Sequence, residues 1–96
     1  MATVLKLYVV SGTQSSDRAI AAVDGLRARL PGDASVEVID VRERPEVAEA
    51  ERIIATPMLV RVSPAPTRRV VGDLSDLERV RWGLGIGFEM AQDGDG

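Results

Sequence analysis

The run Val4-Leu-Lys-Leu-Tyr-Val-Val10 constrains this chain more than any other segment. It is almost continuously apolar and rich in β-branched and aromatic residues, the mark of a buried strand. The residues after it decide how that strand is used. Ser11 to Ser16 is a polar loop, and Ser15 or Ser16 is expected to cap a helix with Asp17 in its electropositive first turn. Ala19, Ile20, Val23, Leu26 and Leu30 recur at helical spacing. Gly25 weakens that helix by about 1 kcal/mol without ending it, and Pro31-Gly32 is expected to end it. Val36-Glu-Val-Ile-Asp-Val41 is a second strand. Together they predict a βαβ unit with a right-handed crossover and parallel strands.

The second half changes character. Pro45 suits the first turn of a short helix, with Val47, Ala50 and Ile54 expected on one side. Thr56-Pro57 breaks it, because proline disfavours helix at the residue before it. Met58 to Val62 is a third strand, Pro64-Ala-Pro66 a stiff turn, and Thr67 to Val71 a fourth strand. The link between the last two is too short for a crossover, so they should be antiparallel. Ser75-Asp-Leu-Glu78 has the form of a capping box opening a last helix on Leu77, Val80 and Leu84. Gly83, Gly85 and Gly87 should weaken its end, and residues 92–96 read as a frayed tail. The order strand, helix, strand, helix, strand, strand, helix is that of thioredoxin. A proline just before the third strand also stands where that fold places a cis-proline.

The chemistry of thioredoxin is missing. The chain has no cysteine and no histidine. That removes disulfides, zinc–thiolate sites, thiol catalysis and the commonest neutral-pH base. With 96 residues, 45% of them apolar, it is one globular domain. No apolar run approaches the length that crosses a bilayer, and no secretory signal is visible, so a soluble cytoplasmic protein is the expectation. Net charge is −3, and three of the fifteen acids, Glu89, Asp93 and Asp95, lie in the last eight residues, leaving residues 1–88 neutral. From Arg52 to Gly72 there are four arginines, Arg52, Arg61, Arg68 and Arg69, and no acid. An Arg-rich strip on a neutral body suits an acidic protein partner better than nucleic acid, which needs a broadly basic surface. A solvated face is the plainer alternative.

Candidate catalytic groups do not assemble. Glu46, Glu49 and Glu51 fall on the exposed side of a short helix. Ser15, Ser16 and Ser75 lack an activating base and suit helix capping. Gly83-Leu-Gly-Ile-Gly87 follows a helix rather than a strand, so it is no phosphate loop. Asp40 suits a turn cap or an interface contact. Trp82 is either packed core or an exposed anchor for another chain. No enzyme, no cofactor and no metal is expected.

Four segments carry a family resemblance: Leu5-Lys-Leu-Tyr-Val9, Val38-Ile-Asp-Val41, Ile54-Ala-Thr-Pro57 and, above all, Arg68-Arg-Val-Val-Gly-Asp-Leu-Ser75. In order and spacing, from about Leu5 to Leu84, the chain resembles the circadian clock KaiB family. Three positions depart from that family's pattern. Its Gly-x-Thr-Pro loop is here Ser11-Gly-Thr-Gln14, its triple proline is Pro64-Ala-Pro66, and Gly85 stands where an acid is frequent. These suggest a divergent member. The resemblance implies a KaiB-like domain over residues 1–88, followed by an acidic tail at 89–96.

It further implies a non-enzymatic regulator of a ring-shaped KaiC-like ATPase and autokinase, with a KaiA-like protein or a histidine kinase as further partners. Neither a nucleic acid nor a membrane is expected as a partner. The alternative implied function is a sensory or protein-interaction module without redox chemistry, in stress or signalling. By the same resemblance, Lys6, Arg18 and Arg52 match basic positions that meet the ring, with Arg42 or Arg44 in place of a loop lysine. The family is metamorphic. Its other form runs strand, helix, strand, strand, helix, helix, strand and self-associates as a dimer or tetramer. Arg68, Arg69 and Trp82 are expected to serve that association, and Pro57, Pro64, Pro66, Gly83 and Gly85 to lie in the switching region. Arg68 and Arg69 are consecutive on a strand, so they should point to opposite faces. Ile86 and Phe88 alternate with glycine as a short strand of the other form would. On helix propensity alone, alanine at Gly83 and Gly85 should favour the thioredoxin-like form.

Overall fold

A computed structural model of the protein describes residues 2–85. The expected acidic tail and the glycine-alternating segment at Ile86 and Phe88 lie outside the described residues. The elements follow the thioredoxin order: β1 (Val4–Val9), α1 (Gln14–Arg27), β2 (Ser35–Asp40), α2 (Pro45–Ala50), β3 (Met58–Ser63), β4 (Arg68–Val71) and α3 (Leu77–Leu84). The four strands form one sheet in the order β2-β1-β3-β4. β1 and β2 are parallel, as the βαβ pattern requires, and β3 runs antiparallel to both β1 and β4. Among the described residues no helix is long and apolar enough to cross a membrane.

Strand alternation divides the core in two. Leu5, Leu7 and Val9 of β1 point to one face, where they pack with Leu59 and Val70 against Ala19, Val23 and Leu26 of α1 and Val80 and Leu84 of α3. Tyr8, Ile39, Met58 and Val60 point to the other, where Val41, Val47 and Ile53 close over them. The first face carries two helices. Among the described residues the second carries only the short α2, which covers part of it.

Several local expectations are corrected. α1 begins at Gln14, and its cap is Thr13, whose hydroxyl accepts from the Ser16 amide at 3.3 Å. Ser16 is buried instead, with its Oγ accepting from the Val10 amide at 2.9 Å. Ser15 does not cap, because the polar loop is shorter than its composition suggests. α1 ends at Arg27 rather than at Pro31-Gly32, its last turn tightening through Arg29 N–H to Leu26 O and Leu30 N–H to Arg27 O. Leu30 stays buried all the same. The Ser75–Glu78 capping box does not form. Asp76 caps α3 by accepting from the Arg79 amide at 3.2 Å, while Ser75 turns back and donates both its amide and its hydroxyl to Asp73 Oδ1. An Asp two residues before a Ser offers a tighter local turn than the helix end does. α2 stops at Ala50, which throws Ile54 outward to 92% exposure and puts Ile53 in its place over the core.

The end of α3 overturns the propensity argument for its glycines. A Cβ at Gly83 would lie 2.4 Å from Val70 Cγ2, so glycine lets the helix approach β4. Gly85 is the left-handed residue that closes the helix, at φ 65°. Alanine at either position therefore opposes the thioredoxin-like form instead of favouring it. The peptide bonds preceding Pro57, Pro64 and Pro66 are cis, the first of them at the expected place before β3.

Candidate functional site

The open face of the sheet gathers the charged side chains. Lys6 lies in register with Glu37 on β2 and Val60 on β3, and Val60 with Arg69 on β4. Equal register puts all four on the face that α2 covers only in part. Arg44, from the turn before α2, reaches back to Glu37 with Nη1 at 3.3 Å from Oε2. Both side chains are half exposed, so the pair contributes little stability and its arginine remains available to a partner. Beneath this row sits Tyr8, its ring fully buried and its hydroxyl without a hydrogen bond to any described residue. Burial raises its phenol pKa, the Glu51 carboxylate adds to the rise, and Arg69 opposes it.

Arg69 fixes the margin of this face. Its guanidinium donates to the carbonyls of Glu51 and of Arg52, the latter at 3.1 Å, at the end of α2. A cation there also opposes the negative end of the short helix. Arg52 adopts φ 57°, a left-handed conformation that few residues other than glycine take, and Arg69 holds its carbonyl in that state. The Arg52 residue itself stays exposed.

Asp40 ends β2 as the turn cap that its position suggests. It accepts the Arg42 amide on Oδ1 at 2.9 Å. A hydrogen bond from the Ser11 hydroxyl, with the Arg42 amide second, holds its carboxyl below the ordinary value. Arg42 leans towards the same loop, its Nη2 3.5 Å from the Ser11 carbonyl. The loops after β1 and β2 are thereby tied together at one end of the sheet.

Of the five basic residues expected to meet a partner, the structure brings Lys6 and Arg44 together, with Arg52 at the margin beyond Arg69. Arg42 is at the adjoining strand end. Arg18 is apart from them, on α1 in the opposite layer, beside Pro57 and the segment Gly72 to Ser75. The three residues expected at a self-association surface are also dispersed. Arg68 and Arg69 point to opposite faces, as consecutive strand residues must. Trp82 is 75% exposed on α3, with the Arg81 guanidinium 6.0 Å from its ring centroid, so it is not packed core.

The four arginines from Arg52 to Arg69 do not form one exposed strip, because Arg61 turns into the interior. It is 6% exposed and belongs to the α1–α3 face, donating to the Pro66 carbonyl at 2.8 Å and the Gly85 carbonyl at 3.2 Å. One buried arginine therefore joins the proline turn to the C-terminal end of α3. Its parity with Leu59 in Met58 to Val62 was the available signal, since residues two apart on a strand share a face.

This arrangement can bind an acidic surface through charges set over the buried Tyr8, Met58 and Val60, with Val62 and Val71 exposed on the same face. The KaiB domain model matches residues 6–86. A circadian clock oscillator protein KaiB of Acaryochloris marina is 45% identical over 92 residues, covering 95% of this chain and 88% of the relative. That of Synechococcus elongatus is 43% identical over 93 residues, covering 96% and 91%. Among solved structures, the N-terminal domain of Synechococcus elongatus SasA superposes with a TM-score of 0.69 at 27% identity, covering 85% of this chain and 80% of that one. Chloroplastic thioredoxin z, at 18% identity and a TM-score of 0.66 over 79% and 74% of the two chains, shares the fold alone. A thioredoxin-like sheet without thiols, a charged open face and near-full-length identity to clock proteins lead to one conclusion: this chain belongs to the KaiB family of circadian clock proteins.

Proposed function

We propose that this chain is a non-catalytic adaptor that binds a KaiC-like ATPase ring through the open face of its sheet, in the thioredoxin-like form. Family membership across residues 6–86 carries the proposal. The cluster of Lys6, Arg44 and Arg52 around that face supplies the chemistry, because acidic ring surfaces attract such a cluster and salt screens the attraction. Arg42 belongs to the same side, at the strand ends. Arg18 lies in the other layer and joins this contact only if the ring wraps round the end of the sheet.

The test is binding of the purified ATPase ring to wild type and to Lys6→Glu, Arg44→Glu and Arg52→Glu, over a salt series. Breaking a buried charge pair at an interface costs about 2–5 kcal/mol, so affinity should fall steeply at low salt while the chain remains folded. Unchanged affinity across the three reversals would exclude this face as the binding surface.

Self-association in the alternative fold rests on Arg68, Arg69 and Trp82. Arg68→Ala with Arg69→Ala should lower the mass seen by light scattering, and an unaltered mass counts against it. The likeness to the SasA domain favours a second reading, a sensory or interaction module for a histidine kinase or another signalling protein. Capture of a kinase in place of the ATPase would select it.

A further inference from the structure

A cavity of about 830 Å³ lies on the side of the sheet away from the charged face. That volume is in the range of pockets that enclose small organic ligands. One wall is the α1 stripe Arg18, Ala19 and Ala22, spaced so that the three share a helix face. The opposite wall is Thr56, Pro57 and Asp73. The alanines leave room that a larger side chain would fill, so the floor is apolar and two walls carry charge of opposite sign.

Those two charges are placed for a ligand more than for each other. Arg18 is exposed and makes no hydrogen bond or ion pair with a described residue, although its field reaches Asp73. Asp73 is a firm carboxylate. The Ser75 hydroxyl and amide hold its pKa low, and both bonds fall on Oδ1, at 2.6 and 2.9 Å. Oδ2 is left without a hydrogen bond to any described residue. A simple anion at Arg18 would feel the Asp73 carboxylate, and a simple cation at Asp73 would feel the guanidinium groups of Arg79, which also donates to the Asp73 carbonyl, and of Arg18. A molecule with both charges and a short neutral body satisfies the two walls together. We propose that this cavity binds a short zwitterionic peptide, its carboxylate on Arg18 and its ammonium on Asp73, with small apolar side chains over Ala19 and Ala22.

The experiment is an NMR titration, with calorimetry, of the intact protein against free dipeptides and tripeptides of alanine and leucine. The same peptides blocked by N-acetylation or C-amidation serve as comparators. Saturable shifts should appear at α1 and at residues 72–75. Blocking either end should weaken binding by about tenfold or more. Arg18→Gln and Asp73→Asn should each do the same, the asparagine keeping its acceptor for Ser75. Ala22→Leu fills the space and should abolish binding with both charges in place, its fold checked by the same spectra. No saturable shift at millimolar peptide, or equal binding of free and blocked peptides, overturns the proposal. Either result leaves the ATPase contact on the opposite face untouched, so the two readings fail separately.

Discussion

Gly83 is the residue at which helix propensity and packing disagree. Alanine there gains about 1 kcal/mol of propensity, yet its Cβ would overlap Val70, and overpacking of this kind costs about 1–3 kcal/mol. Gly83→Ala should therefore lower the urea midpoint, and the Gly83→Ala, Val70→Ala pair should lose less than the sum of its singles. A midpoint raised by Gly83→Ala would falsify the close-approach explanation. Gly85→Ala forces a Cβ into the left-handed region, at about 1–2 kcal/mol. Arg61 is the buried counterpart of these glycines. Arg61→Ala abandons two carbonyls and should cost about 1.5–3 kcal/mol per charged hydrogen bond at most, read from the same unfolding curves. Asp40 and Asp73 both have lowered pKa values, set chiefly by the hydroxyls of Ser11 and Ser75. Their folded values lie below the unfolded ones, so the stability they add is present above the ordinary carboxylate range. It is lost as pH falls through the lowered values. Urea midpoints should be flat near neutrality and drop in acid, with Asp40→Asn and Asp73→Asn flattening that acid limb.

Elements here are bounded by caps that sequence pattern displaced by one to three residues. Thr13 and Asp76 accept the first amides of α1 and α3, so Thr13→Ala and Asp76→Ala should each cost about 1 kcal/mol. Ser15→Ala, at an exposed position inside α1, should be close to neutral by thermal denaturation. Equal losses at Ser15 and Thr13 would restore the later helix start. α2 is too short to hold itself, as helices below about 12 residues are marginal in water. Its far end depends on Arg69, which binds the Glu51 and Arg52 carbonyls from β4. Arg69→Ala should accelerate amide hydrogen exchange from Glu51 to Ala55 while leaving β1 protected, whereas Arg68→Ala should leave that segment unchanged.

At the scale of the whole molecule, an unequal covering of one sheet separates two surfaces. Among the described residues, α1 and α3 close the face that holds Leu5, Leu7, Leu59 and Val70, and α2 covers part of the Lys6 side. Ring binding through that open face should weaken steadily with added salt, and a salt-independent affinity would point to the apolar residues Val62 and Val71 instead. Sequence alone determined the element order, the parallel first pair, the hairpin and the absence of thiol chemistry. Each of these follows from local periodicity, proline placement or residue type. It also determined family, because Arg68 to Ser75 and Ile54 to Pro57 are contiguous motifs. Only the tertiary structure decided that Arg61 is buried, that Gly83 makes room for Val70, that Arg69 closes a helix 17 residues away, and that Arg18 stands apart from Lys6. Those facts depend on which strand faces meet which helix. That pairing joins residues distant along the chain, and no local pattern records it.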